Sequence, residues 1–502
     1  MKGNIRLSAA ERDFFSLVHR VVLANPFSDQ RIAIDLQIAG LFPGVSDEER
    51  IQKTRREVAR RIDALKDDSR DNLQLYKGND RMILRSSFLY TLFYTFLEDF
   101  DGHIVQQIGS GRQPVKVTFA GKALTFLYQK GFTAEEACRY FALCYQMRRA
   151  FYFIEKRLVG RCPCMKKMRE RLWNNVFTSD LLLYDAHLWN RMEDFSTLIL
   201  GETGTGKGTT AMAIGSSGFI PFDEKKQVFA ESFTESFVSL NLSQFSAGLI
   251  ESELFGHQKG AFTGAVESHQ GVLNRCSPFG AIFLDEIGEV AVPVQIKLLK
   301  VLEERLFSPV GSHQELRFKG RIIAATNRSL SDISHKKVMR DDLFYRLCSD
   351  IIIVPPLRQR IAENPSELDE LLAFKLEKLA GSPQPELVTM VRRLIDQQLG
   401  RNYNWPGNVR ELEQCLRRIL LNRNDASVVN SLKEAGMSPL AIAMEKGELD
   451  AQSLLRGYCQ MLYGRFGNYG EVARRTKLDR RTVKKYVTEV DLLAEPVDPG
   501  RR

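Results

Sequence analysis

Between the apolar run Ser196 to Leu200 and a segment of helical character stands Gly201-Glu202-Thr203-Gly204-Thr205-Gly206-Lys207. A strand that turns through a glycine-rich loop into a helix constrains the fold more than any other feature of the chain. Such a helix packs back on the strand's own sheet, and a return to that sheet needs a crossover, which makes the sheet parallel. Three more short apolar runs fit buried strands: Phe237 to Leu240, Ala281 to Leu284 and Arg321 to Ala325. They alternate with helical segments, so an α/β core with helices on the sheet faces is expected.

The loop also carries chemistry. Glycines let backbone N–H groups turn inward around phosphate oxygens, and the helix N-terminus adds positive potential. Gly201, Glu202, Thr203, Gly204, Thr205 and Gly206 would form the phosphate cradle, with Lys207 on the β- and γ-phosphates. The pattern GxxxxGK alone arises by chance in roughly one chain in ten of this length, so its strand–loop–helix context carries the reading. Position 208 is Gly where the general pattern has Ser or Thr; Thr209 and Thr210 follow, and which hydroxyl reaches Mg²⁺ stays open. Asp285 and Glu286 end the run Ala281 to Leu284. At a strand's carboxyl end they suit the crevice of a doubly wound sheet, with Asp285 holding Mg²⁺ through water and Glu286 polarising the attacking water. The bland alternative, two solvated loop carboxylates, is weakened by the glycine loop upstream.

Between these motifs lies Gly260-Ala261-Phe262-Thr263-Gly264-Ala265. Chance would supply this hexapeptide about once in 10⁴ to 10⁵ chains of this length, so it discriminates where the glycine loop does not. Small residues and two glycines make a tight tip with an exposed Phe, a plausible contact for another protein. The hexapeptide resembles the signature loop of bacterial enhancer-binding proteins, AAA+ ATPases that activate RNA polymerase carrying sigma-54.

That resemblance runs from Gly160 to about Leu421 and implies further roles. Asn241 matches the Asn that restrains the catalytic Glu until ATP is seated. Asn327, in Ala324-Ala-Thr-Asn327-Arg328, matches sensor I. Arg340 and Arg346 match paired arginines that reach the neighbouring subunit's nucleotide. Arg410, in Trp405-Pro-Gly-Asn-Val-Arg410, matches sensor II on a helical lid. The family commonly has Glu where this chain has Gly208, so that departure leaves ATPase activity possible. Residues Gly260 to Ala265 would contact sigma-54. The implied cofactors are ATP and Mg²⁺, and the implied assembly is a homo-oligomeric ring, a hexamer. The stretch Ser216 to Glu235 is longer than expected and reads as a surface insertion.

Residues 1–158 read as a mostly helical regulatory domain, with capping-box spacings at Ser8/Glu11 and Thr133/Glu136. The aromatic run Phe88 to Phe96 reads as helical core rather than a ligand pocket. The α/β subdomain is expected over 159–356, the helical lid over 357–421, a linker over 422–446, a helix-turn-helix over 447–490 and a tail over 491–502. The expected fold is therefore multidomain: a mostly α N-terminal domain, a P-loop AAA+ core with helical lid, and an all-α C-terminal domain.

Near the C-terminus, Leu454 to Phe466, Tyr469 to Thr476 and Arg480 to Val487 have the lengths of three helices, with Lys477-Leu478-Asp479 as the turn. The arrangement resembles a Fis-type helix-turn-helix. Arg480, Arg481, Thr482 and Lys484 are expected at base edges, and Arg474, Arg475, Lys477 and Lys485 at phosphates of upstream double-stranded DNA. A solvated basic tail is the alternative. The formal net charge of +9 favours an acidic partner only weakly, since it is spread over 502 residues. Eight cysteines without secreted-domain or zinc spacing fit reduced thiols. With no apolar signal core and no run of 18 apolar residues, a cytoplasmic bacterial protein without membrane spans is expected. The leading expectation is a sigma-54-dependent activator; rivals are a ligand-controlled DNA-binding repressor on the same fold, and an AAA+ machine with another protein client.

Overall fold

The computed structural model describes residues 5–330, 332–333, 339–421, 440, 443–444, 447 and 449–488. The expected linker, 422–446, lies almost wholly outside the described residues, and the tail, 491–502, lies wholly outside them. The chain divides into two compact units, residues 1–374 and 375–502, each treated by itself.

The first unit begins with seven helices: α1 (Ala9–Leu23), α2 (Asp29–Ala39), α3 (Asp47–Asp67), α4 (Gly78–Thr95), α5 (Leu97–Ser110), α6 (Ala120–Gln129) and α7 (Ala134–Arg157). Both expected capping boxes are present. Ser8 Oγ accepts from Glu11 N and the Glu11 carboxylate accepts from Ser8 N; Thr133 and Glu136 do the same for α7. Each box satisfies two N–H groups that the helix itself leaves orphaned. Helix α8 (Pro163–Phe177) follows, started by a proline in its first turn, where no N–H is needed.

Among the described residues the α/β part holds nine strands: β1 (Thr197–Leu200), β2 (Phe222–Asp223), β3 (Val228–Phe229), β4 (Phe237–Asn241), β5 (Ala281–Asp285), β6 (Leu306–Phe307), β7 (Leu316–Arg317), β8 (Arg321–Thr326) and β9 (Asp350–Ile353). Five form one sheet in the order β4-β5-β8-β1-β9, parallel throughout. Central strands β1 and β8 are buried along their whole length, as expected for a sheet covered on both faces. The glycine loop leaves the carboxyl end of β1 and opens the helix Lys207–Gly215. One core covers one sheet face and continues into the seven-helix domain; a second covers the other face.

That continuity corrects the reading of residues 216–235 as a surface insertion. They form the β2–β3 hairpin, and its Phe222 and Phe229 are buried, as is Phe233 just beyond. The Phe229 ring stacks on Tyr145 of α7 at 4.2 Å, and Phe222 meets Phe141 edge-on at 4.8 Å. Val117 N donates to the Gln227 carbonyl at 2.8 Å. The segment is an anchor that joins the helical domain to the C-terminal end of the Lys207–Gly215 helix. At that end Gln146 of α7 donates to the Ser217 carbonyl at 2.9 Å and exchanges hydrogen bonds with the Tyr184 hydroxyl. Arg149, fully buried, donates to the Gly218 carbonyl. Replacing Gln146 by Leu strands a buried carbonyl and a buried phenol. Urea unfolding should report a loss of about 1–3 kcal/mol, and an unchanged midpoint would contradict this packing.

Glu367 is wholly buried and pairs with Arg360 at 2.8 Å. Its other oxygen accepts from Arg161 N and from Cys162 N, the latter at 2.6 Å. Arg360 also donates to the Val159 carbonyl at 2.6 Å. One carboxylate thus holds the chain leaving α7 against the helix Leu357–Glu363. Among the described residues no helix is long and apolar enough to cross a membrane.

The second unit contains helices Pro385–Gln398, Asn408–Leu421, Ala451–Phe466, Tyr469–Thr476 and Arg480–Thr488. The last three share a small core of Cys459, Leu462, Val472 and Val483. Lys477 turns between the final two with φ 56°, and Asp479 caps the last by accepting from Arg481 N at 2.7 Å.

Candidate nucleotide site and contact loop

The carboxyl ends of four adjacent strands bring the sequence candidates together. Parallel register sets Asn241 of β4 beside Asp285 of β5. Lys207, nearly buried, donates to the carbonyl of Gly201 at 2.9 Å, and its ammonium lies 3.9 Å from the Glu286 carboxylate. Asn327, just past β8, links both sides of this crevice. Its backbone N–H donates to Glu286 Oε2 at 3.2 Å, and its side-chain amide donates to Thr203 Oγ1 at 3.4 Å. Glu286 is left-handed at φ 56°, a conformation that costs an L-residue roughly 1–2 kcal/mol. Strain of this kind at the tip of an acidic strand is characteristic of working sites. Asp285 Oδ1 accepts from Glu286 N at 3.1 Å.

Not every candidate is engaged where the resemblance put it. Asn241 uses its side-chain oxygen to accept from Ser243 N and Ser243 Oγ, capping a short turn. Thr210 is buried and donates back to the Gly206 carbonyl at 3.1 Å, which leaves Thr209 as the half-buried hydroxyl of the first helical turn. A side chain at position 208 would meet only Phe283 at an ordinary 3.7 Å, so Gly208 is not forced by packing. Glu202 pairs with Arg358 at 2.7 Å, a contact that sequence reasoning missed. Arg340 and Arg346 both lie exposed and each pairs with a carboxylate of its own chain: Asp342 at 2.7 Å and Glu303 at 3.0 Å. Arg410 is exposed on the helix Asn408–Leu421 of the second unit.

The hexapeptide forms a closed tip. Gly260 N donates to the Ala265 carbonyl at 2.9 Å, and Ala265 N to the Phe262 carbonyl at 3.0 Å. Phe262 is 40% exposed, its ring edge-on to His257 at 4.9 Å, while Thr263 and Gly264 stand in solvent. Below the tip, His257 and His269 exchange backbone hydrogen bonds. The β6–β7 connection braces this stem: Gln258 N donates to the Val310 carbonyl and Val310 N to the Gly256 carbonyl. Gly311 touches the tip so closely that a Cβ there would lie 2.7 Å from the Ala261 Cβ. Sequence alone pointed to the hexapeptide and not to this brace. Its only signal is a glycine between two short apolar runs. Gly264, at φ 100°, needs its lack of a side chain. Gly264→Ala should distort the tip yet leave ATP turnover within about twofold, because strain of ~1–2 kcal/mol there stays local. A parallel collapse of turnover would show the tip and the crevice to be one unit.

Comparison with known proteins agrees with this geometry. Residues 185–352 match the model of the sigma-54 interaction domain. The chain is similar to the Nif-specific regulatory protein of Azotobacter vinelandii, with 38% identity over 284 residues, 57% of this chain and 48% of that protein. It is 38% identical to the regulatory protein AtoC of Escherichia coli over 252 residues, half of each chain. With the DNA-binding transcriptional regulator NtrC of Azospirillum brasilense it shares 36% identity over 262 residues, 52% of this chain and 47% of that one. The chain thus spans about half the length of the curated relatives it matches. Over residues 185–352 the chain is thus similar to sigma-54 interaction domains.

Proposed function

We propose that this protein is a sigma-54-dependent transcriptional activator that hydrolyses ATP to move its Gly260–Ala265 loops against sigma-54 RNA polymerase, opening the promoter. The observation that carries the reading is that one domain holds both crevice and tip. In it Glu286 lies 3.9 Å from the Lys207 ammonium and accepts from Asn327 N–H, and Phe262 of the tip is exposed. ATP would lie with its phosphates over the N-terminus of the Lys207–Gly215 helix. Asp285 and Thr209 offer the hard oxygens that Mg²⁺ prefers, and a bound Mg²⁺ would neutralise phosphate charge. Glu286 would orient the attacking water. Asn327, bonded at once to Glu286 and to Thr203 of the phosphate loop, would transmit phosphate occupancy to that carboxylate.

Arg340 and Arg346 would exchange their own carboxylate partners for a neighbouring subunit's nucleotide, tying hydrolysis to a homo-oligomeric ring, in our reading a hexamer. Arg410 would act as the lid's sensor. The C-terminal helices would hold the protein on upstream DNA in the bacterial cytoplasm. On them Arg474 and Arg475 are already tied to Glu471, at 2.7 and 2.8 Å, and Arg475 lies over the Phe466 ring. They suit phosphate contacts, whereas Arg480, Arg481, Thr482 and Lys484 begin the last helix and suit the groove. Arg481→Ala should weaken specific DNA binding by about 1–3 kcal/mol and relax base preference at one position. A uniform loss across all sequences would make it a phosphate contact.

The reading as a whole is tested by capture of purified sigma-54 with ATP, ADP or a non-hydrolysable analogue present. Capture that depends on the nucleotide and disappears in Thr263→Ala supports it. Steady ATP turnover with no capture in any nucleotide state points to another client.

A further inference from the structure

Sequence reading took the aromatic run Phe88 to Phe96 as plain core. Phe88 is core alone, whereas Tyr90, itself buried in the core, and Phe93 and Tyr94, packed against it, also wall a cavity of about 450 Å³. Phe27, Phe151 of α7 and Trp173 of α8 complete an aromatic enclosure. Phe27 stacks on Phe151 at 5.1 Å and meets Trp173 edge-on at 6.2 Å. Most of the lining is apolar, seven residues of it aromatic, and eight charged side chains stand among them; a volume of this size with such walls suits a small molecule, and core packing does not leave such space empty without cost.

The charges around the cavity say what kind of molecule fits. Each arginine in the wall already has its own carboxylate. Arg31 pairs with Asp35 at 3.0 Å, Arg50 with Asp47 at 2.6 Å, Arg85 with Asp185 at 3.5 Å and Arg148 with Asp101 at 2.5 Å. A charged ligand would have to break a pair or be buried without a counter-ion, and both are costly. Three polar atoms in the same wall are buried without a hydrogen-bond partner: Asp185 Oδ1, which has the Arg139 guanidinium beside it at 3.1 Å, and, at the other end, Asp35 Oδ1 and Arg50 Nε, the latter 4.0 Å from the second Asp35 oxygen. One hydroxyl or amide group on a ligand, reaching that end, would relieve both Asp35 Oδ1 and Arg50 Nε, since it can donate and accept, while a lone N–H would relieve the Asp35 oxygen.

We infer that the helical domain binds a small, uncharged, ring-bearing molecule with one hydroxyl or N–H group, in the cavity between α2, α4, α7 and α8. The inference does not rest on the proposed ATPase or sigma-54 activity. Leu181 and Asp185, which also line the cavity, belong to the short segment leading into β1, so occupancy would be felt where the phosphate-binding strand begins.

Two fluorescent probes with the same ring skeleton test it on the full chain. N-phenyl-1-naphthylamine is uncharged and carries one N–H; 1-anilinonaphthalene-8-sulfonate adds a negative charge. The uncharged probe should bind saturably, one per chain, quench Trp173 by energy transfer, and bind at least about tenfold more tightly than the sulfonate. Leu89→Trp and Met147→Trp, each placing a large ring in the cavity, should weaken it at least about tenfold while the sulfonate's weak surface binding stays the same. Equal affinity for the two probes in the unaltered protein, or no saturable binding, would overturn the inference whether or not the variants fold. So would full probe affinity in a filled variant with an unchanged melting temperature.

Discussion

Glu286→Gln should abolish almost all ATP turnover while leaving nucleotide binding close to normal. The amide keeps the size of the carboxylate and can still accept from Asn327 N–H, so the crevice should hold its shape. What it loses is the negative charge that orients and polarises water. Loss of a positioned base costs about 10²–10⁴-fold in rate, or roughly 3–5 kcal/mol of barrier. Lys207→Ala supplies the contrast: it removes the ammonium from the phosphate cradle and should weaken binding itself. Turnover and equilibrium nucleotide binding, measured on the same preparations, separate the two. Turnover within about tenfold of the parent in Glu286→Gln would remove Glu286 from the role of base. Glu286→Gly adds a second check. It relieves the left-handed strain at this position, so stability should hold or rise as activity falls, the pattern of a residue kept for work rather than folding.

Glu367→Ala should destabilise the first unit as strongly as truncating a large core side chain. The carboxylate is wholly inaccessible, pairs with Arg360 and accepts from two backbone N–H groups at the start of α8. Its removal leaves a buried guanidinium uncompensated, which typically costs about 3–5 kcal/mol. Replacing both partners, Arg360→Met with Glu367→Leu, should recover part of the loss. It cannot recover all of it, because Arg161 N and Cys162 N lose their acceptor in either case. Denaturant unfolding of the two single variants and the double variant gives the coupling directly. Additive losses would mean that the pair is not a unit.

How much of this was legible in the sequence follows the range of the interactions. Ser8/Glu11 and Thr133/Glu136 could be read because a capping box is closed within four residues. The glycine loop, the acidic pair and the hexapeptide were likewise local, and the parallel sheet followed from their spacing. Residues 216–235 were misjudged for the opposite reason. Phe222 and Phe229 have no neighbours in sequence that explain them; their partners, Phe141 and Tyr145, are some 80 residues away on α7. Glu367 looked like any acidic residue at a helix start, because its partners near Val159 are more than 200 residues upstream. Asn241 stands at the end of β4 beside Asp285, and the contact of its side-chain oxygen with Ser243 is a local one that the resemblance did not carry. The brace at Gly311 was unreadable for the same cause, since a close approach leaves only a glycine in the sequence.

The coupling of crevice chemistry to the hexapeptide tip is the central claim, and promoter opening measures it most directly. Purified protein, sigma-54 RNA polymerase and a sigma-54 promoter are combined with ATP or with a non-hydrolysable analogue, and melted DNA is scored by permanganate reactivity. Melting is expected with ATP alone, with none from the analogue and none from Thr263→Ala even though that variant still turns over ATP. Melting with the analogue, or undiminished melting by Thr263→Ala, would contradict it.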